Sequence, residues 1–84
     1  VVEFYTTACS HCKKLAGALN NLSEEKGDDV FFGKCNIDQE ALLQSRFDIS
    51  AVPTLLFIKN GEIKNRLVGE VHPLIIQEEI KKLA

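Results

Sequence analysis

The chain has 84 residues, 45% of them apolar and 26% charged, with a formal net charge of −2. That length makes one small domain with one core, burying about 60–65% of the unfolded chain's surface. Lys13, Lys14, Lys81 and Lys82 are offset by Glu24, Glu25, Asp28 and Asp29, so nothing points to nucleic acid or an anionic membrane as partner.

No repeat, linker or low-complexity tract interrupts residues 1–84, which read as a single domain. No apolar run is long enough to span a membrane, and no signal peptide is visible. Methionine is absent and the first residues already read as a strand, the pattern of a processed or excised domain. The compartment therefore stays open: the cytoplasm fits, and so does a periplasmic or other oxidising setting.

Val1 to Tyr5 is rich in β-branched and aromatic residues and predicts a strand. Leu15, Leu19 and Leu22 recur at helical spacing and predict a helix from about Ser10 to Lys26, stopped at Gly27-Asp28-Asp29. Val30 to Ile37 reads as a second strand, and Asp38 as the N-cap of a short helix reaching about Phe47. Strands over Thr54–Lys59 and Glu62–Val68 meet at Asn60-Gly61, a strong hairpin signal. Past Gly69, His72 is placed to cap a final helix that has Pro73 at its first position and runs to about Leu83. The order is β-α-β-α-β-β-α, an α/β fold whose first two strands run parallel and whose last two run antiparallel. The unbroken apolar character of the first strand fits helices on both faces of the sheet.

The chemistry sits at Cys9-Ser10-His11-Cys12, on the junction between the first strand and the first helix. A thiol at a helix N-terminus is favoured as thiolate by the unpaired N–H groups and the helix dipole. A second thiol one turn on can close a disulfide with it or resolve a mixed one. The same spacing is half of many zinc sites, but only Cys35, His11 and His72 remain as further soft ligands. That shortage argues against a metal, and no bound cofactor is expected. A purely structural disulfide would close a loop of two residues and constrain the unfolded chain little. Cys9, nearer the loop, is the candidate nucleophile, and Cys12 the candidate resolving thiol. Cys35, the third cysteine, reads as a free thiol behaving like a small apolar residue.

These residues resemble the thioredoxin family over nearly the whole chain. The resemblance is carried by Val2-Glu3-Phe4-Tyr5 with Cys9-Ser10-His11-Cys12-Lys13, by Lys34-Cys35-Asn36-Ile37-Asp38, by Val52-Pro53-Thr54, by Lys59-Asn60-Gly61-Glu62 and by Val68-Gly69. It implies the compact form of that fold, a four-stranded mixed sheet in the order 2-1-3-4. The chain departs from the family in three places. The usual first strand and helix are missing, the loop reads Ser-His where ordinary thioredoxins carry Gly-Pro, and Ala8 stands where most members have tryptophan. A histidine in the loop is closer to protein disulfide isomerases and bacterial dithiol oxidases.

The resemblance implies roles for several further residues. Glu3 is either an exposed strand residue or a buried carboxylate under the active site that shuttles a proton for Cys12, with Lys34 as its partner. Val52-Pro53 would be a cis bond, and Ser10, Val52, Pro53 and Gly69 would line the surface that takes substrate. His11 is either a solvated helix-start residue or a neighbour that donates a hydrogen bond or positive charge to the Cys9 thiolate.

The implied activity is thiol–disulfide exchange on protein disulfides, with a reductase or oxidase partner recycling the pair. A non-catalytic adaptor domain and a glutaredoxin-like, glutathione-dependent reductase are the alternatives. The adaptor does not need Cys9, Cys12, Glu3, Lys34 and Pro53 together. The reductase would need a glycine pair where Gly69-Glu70-Val71 stands. A monomer is expected, although the implied strand order leaves Val30–Ile37, with Phe31 and Phe32, on a sheet edge guarded by Lys34 alone.

Overall fold

A computed structural model describes residues 1–83. Its elements are β1 (Val2–Tyr5), α1 (Ser10–Lys26), a 3₁₀ turn (Gly27–Asp29), β2 (Gly33–Asn36), α2 (Ala41–Arg46), β3 (Thr54–Lys59), β4 (Glu62–Val68) and α3 (Pro73–Leu83). They form one four-stranded sheet in the order β2-β1-β3-β4. β1 runs parallel to β2 and antiparallel to β3, and β3 is antiparallel to β4. Fold class, strand order and the positions of the hairpin and outer helices are as the sequence predicts.

Alternation along the central strands divides the core between the two faces of this sheet. Leu55 and Phe57 of β3 point to one face, where they meet Leu15, Leu19 and Leu22 of α1 and Ile76 and Ile80 of α3. Phe4 of β1 and Leu56 of β3 point to the other, against Ile49 and the half-buried Leu43 and Phe47 of the α2 region. Cys12, Leu15, Leu19 and Leu22 lie on one stripe of α1, so the packing that anchors the helix also buries the second active-site cysteine. Gly27 ends that helix at φ 59°, with its N–H donating to the Ser23 carbonyl. Asn60 (φ 55°) and Gly61 (φ 79°) are both left-handed, as a tight hairpin with the twist of its strands requires. His72 caps α3, its Nδ1 accepting the Leu74 N–H at 3.1 Å.

Two predicted elements are shorter in the structure. β2 starts at Gly33, not Val30: Gly33 N–H donates to the Val1 carbonyl at 2.9 Å, and beyond it the Val1 amino group donates to the Phe31 carbonyl at 2.8 Å without extending the strand. Phe31, at 85% exposure, is therefore outside the strand, while Phe32 packs on the α1–α3 side of the core. α2 starts at Ala41, because Asp38 does not cap it. The turn after β2 is closed instead by Asn36, whose carbonyl accepts from Gln39 and Glu40 and whose Oδ1 accepts from the Asp38 N–H. The Asp38 carboxylate is used elsewhere: its Oδ2 accepts from the Thr7 N–H in the loop after β1, at 3.3 Å.

Arg66 of β4 ties the end of the α2 region to the sheet by donating to the carbonyls of Phe47 (2.6 Å) and Asp48 (3.1 Å). Asp48 is held at φ 56°, a conformation that costs energy for a residue with a side chain. Arg66→Met keeps the stem and removes both bonds. It is expected to lower unfolding stability by about 1–3 kcal/mol. An unchanged denaturation midpoint would show that the two carbonyls are equally well served by water.

Candidate active site

The strand register gathers the predicted site residues at one end of the sheet. Tyr5, the last residue of β1, is opposite Asn36, the last of β2, while Phe4 is opposite Thr54 at the start of β3, and Thr54 faces Val68 at the end of β4. The loop carrying Cys9, the turn carrying Val52-Pro53 and the turn carrying Gly69 therefore all leave the sheet at that end. Strand polarity and pairing bring them together, since the segments are far apart in sequence.

Cys9 is the N-cap of α1, with extended backbone (φ −89°, ψ 109°). Its Sγ accepts the Cys12 N–H at 3.1 Å. Cys9 and Cys12 form a disulfide with a Cα–Cα distance of 5.2 Å. Cys9 is partly exposed, whereas Cys12 is only 2% exposed. The first sulfur is thus open to a partner and the second is not. The N–H aimed at Cys9 Sγ, at the positive end of a helix dipole, favours negative charge on that atom once the bond is reduced. The loop is braced by Asn36 Nδ2 donating to Thr7 Oγ1 at 3.0 Å and by the Thr7–Asp38 bond.

Glu3 is buried, at 1% exposure, on the same face as α1. Of its two readings, exposed or buried, the structure selects the buried one. Its Oε2 has no hydrogen-bond partner among the described residues. Burial raises its carboxyl above the ordinary carboxylate range, and the charge of Lys34, its register neighbour on β2, opposes that rise. A cleft of about 300 Å³ is lined by Glu3, Lys34, Cys12, Ala16, Thr6 and Asn36, among others. It puts the carboxylate and the buried cysteine on one path to solvent.

The Val52-Pro53 bond is cis. The Pro53 carbonyl accepts the Gly69 N–H at 2.8 Å, and Gly69 sits at φ 91°, a conformation that a side chain would strain. Ser10 is the exposed first residue of α1. The His11 ring turns toward the β4–α3 loop, where its Nδ1 lies 2.6 Å from Glu70 Oε2. Sequence reasoning did not find Glu70: it is 59 residues from His11, and no spacing marks the pair. Cys35 is a free, half-buried thiol packed with Phe4, Ile49 and Leu56. Burial, with the charge of Glu40 added, pushes that thiol above its ordinary range, away from reactivity.

Fold and site together define a class, a compact α/β domain built around a dithiol couple at a helix N-terminus. Comparison with known proteins narrows it. The thioredoxin family model matches residues 1–82. Among relatives, the chain is 35% identical over 78 residues to a thioredoxin of Buchnera aphidicola, covering 93% of this chain and 72% of that protein. It is 30% identical over 82 residues to the chloroplastic M-type thioredoxin of Spinacia oleracea, covering 98% of this chain and 45% of that one. Among solved structures, the oxidized form of mitochondrial thioredoxin 3 from Saccharomyces cerevisiae superposes with a TM-score of 0.88 at 29% identity, over 98% of this chain and 76% of that chain. The chain belongs to the thioredoxin family. It spans about half the length of the plant relatives it matches, 45% of the spinach protein and 48% of one from Pisum sativum.

Proposed function

We propose that this protein is a thiol–disulfide oxidoreductase acting on protein disulfides through Cys9 and Cys12. The observation that carries this reading is the disulfide between a partly exposed N-cap cysteine and a buried cysteine one turn on, with a backbone N–H on the outer sulfur. In the reducing direction the Cys9 thiolate attacks one sulfur of a substrate disulfide. The substrate S–S bond breaks, one substrate thiolate leaves, and a mixed disulfide with Cys9 forms. Cys12 then loses its proton and attacks Cys9 Sγ, expelling the second substrate thiolate and closing the Cys9–Cys12 bond. Two electrons pass to the substrate, and the reverse sequence oxidises a dithiol.

Glu3 is the base for the Cys12 proton. A carboxyl raised by burial, with a cleft to solvent, is a better proton acceptor than an ordinary carboxylate and can pass the proton on. Lys34, its register neighbour, keeps that rise in check. Ser10, Val52, Pro53 and Gly69 form the surface against which the substrate chain lies, and no metal or cofactor takes part. Protein disulfides are the substrates that family membership implies, and a reductase or an oxidase restores the pair after each turn.

The test is insulin-disulfide reduction, with dithiothreitol as the electron source and turbidity as the readout. Acceleration over dithiothreitol alone is expected. A rate equal to that of the reductant by itself would leave the fold without this activity and favour a docking domain.

A further inference from the structure

The loop histidine of this chain is committed to a partner outside the dithiol pair. A histidine between two active-site cysteines strengthens the oxidising power of the couple only if a ring N–H or its charge reaches the thiolate. Here the His11 Nδ1–H donates to Glu70 Oε2 at 2.6 Å, since an ionised carboxylate can only accept. Glu70 follows Gly69, whose N–H is bonded to the Pro53 carbonyl, so the carboxylate stands on a loop anchored to the cis-proline turn. The ring is thus drawn toward the β4–α3 loop, and an anion offsets whatever positive charge it carries near Cys9.

We propose that Glu70 is a positioning residue that restrains His11 and so holds the Cys9–Cys12 couple less oxidising than its Cys-Ser-His-Cys loop alone would make it. This rests on the thiol–disulfide exchange reading given above. The two effects of Glu70 on Cys9 act in the same direction. Without Glu70 the ring is free to turn a donor toward Cys9, and the compensating anion is gone. Each change favours the thiolate and therefore the reduced form. Nothing else among the described residues accepts a hydrogen bond from His11.

The test is the equilibrium of the oxidised protein with glutathione. Two glutathione thiols reduce the Cys9–Cys12 bond and become one glutathione disulfide, so electrons and protons balance. Glu70→Ala is expected to shift the equilibrium about tenfold toward the reduced protein, or about 30 mV for this two-electron couple, and Glu70→Gln, which keeps an oxygen acceptor but no charge, to shift it less in the same direction. In a His11→Ala background the same substitutions are expected to change it by no more than about twofold, because the group that Glu70 restrains is gone. Equal shifts in both backgrounds would overturn the proposal by showing that the carboxylate acts on Cys9 without His11. No shift, or a shift toward the oxidised protein, would overturn it directly. Wild-type protein that equilibrates with glutathione while the variants match it refutes the role of Glu70 and leaves the exchange reading standing. Wild-type protein that never equilibrates overturns both.

Discussion

Cys9→Ser is expected to reduce insulin-disulfide reduction to the rate of dithiothreitol alone, whereas Cys12→Ser should still attack substrate and accumulate as a mixed disulfide. The asymmetry follows from burial and from helix geometry. Cys9 caps α1 with its sulfur partly exposed and a backbone N–H directed at it. Cys12 lies on the buried stripe of the same helix, 2% exposed, where a bulky substrate disulfide does not reach. Removing the outer sulfur removes the only accessible nucleophile of the pair. Removing the inner one removes the internal attack that releases substrate, so the first covalent step outlives the second. Non-reducing electrophoresis against a disulfide substrate separates the cases. Wild-type turnover by Cys9→Ser, or a mixed disulfide carried by Cys12, would reverse the assignment of the two roles.

Glu3→Leu is expected to slow resolution of the mixed disulfide about a hundredfold at neutral pH while raising the stability of the oxidised protein by about 1–3 kcal/mol. The two effects have one cause. The carboxyl is buried with one oxygen unpaired, and desolvation raises it above its ordinary value of 4.5, with Lys34 opposing. A carboxyl that is raised in the folded state binds more protons there than in the unfolded chain. Its cost to stability is therefore absent below the ordinary value, appears as pH rises through the raised value, and is complete above it. The gain in the leucine variant should vanish below the ordinary value of 4.5 and grow as pH rises above it. Denaturant unfolding at several pH values reads this directly, and a pH-independent gain would assign it to packing instead. An unchanged rate of release from the mixed disulfide would remove Glu3 from the proton path.

Most of the fold could be read from local signals, because those signals are strong here. Leu15, Leu19 and Leu22 repeat at the helical period, Asn60-Gly61 supplies two left-handed residues, and His72-Pro73 opens a helix in the order capping requires. The errors fall where a polar side chain had a choice of partner. Asp38 is a good N-cap residue, but Thr7 offers it a donor across the sheet end, so α2 starts two residues later than that cap would place it, at Ala41. Val30 to Phe32 has the composition of a strand. The Val1 amino group still donates to the Phe31 carbonyl at 2.8 Å, but the strand proper runs only from Gly33 to Asn36, and the Phe31 ring is in solvent.

The site divides along the same line. The Cys9–Cys12 spacing, the apolar stripe that buries the second thiol and the hairpin are properties of neighbouring residues, and the sequence by itself determines them. The burial of Glu3, its pairing in register with Lys34, the bond from Gly69 to Pro53 and the engagement of His11 by Glu70 depend on which strands lie side by side. Glu3 could have faced solvent on either side of a thinner sheet. It is buried because α1 packs over that face of β1, and its carboxyl is raised for the same reason. Glu70 is 59 residues from its partner, and only the antiparallel return of β4 brings it to the start of α1. Such pairings are long-range because the strand order, not the local sequence, sets which loops share an end of the sheet.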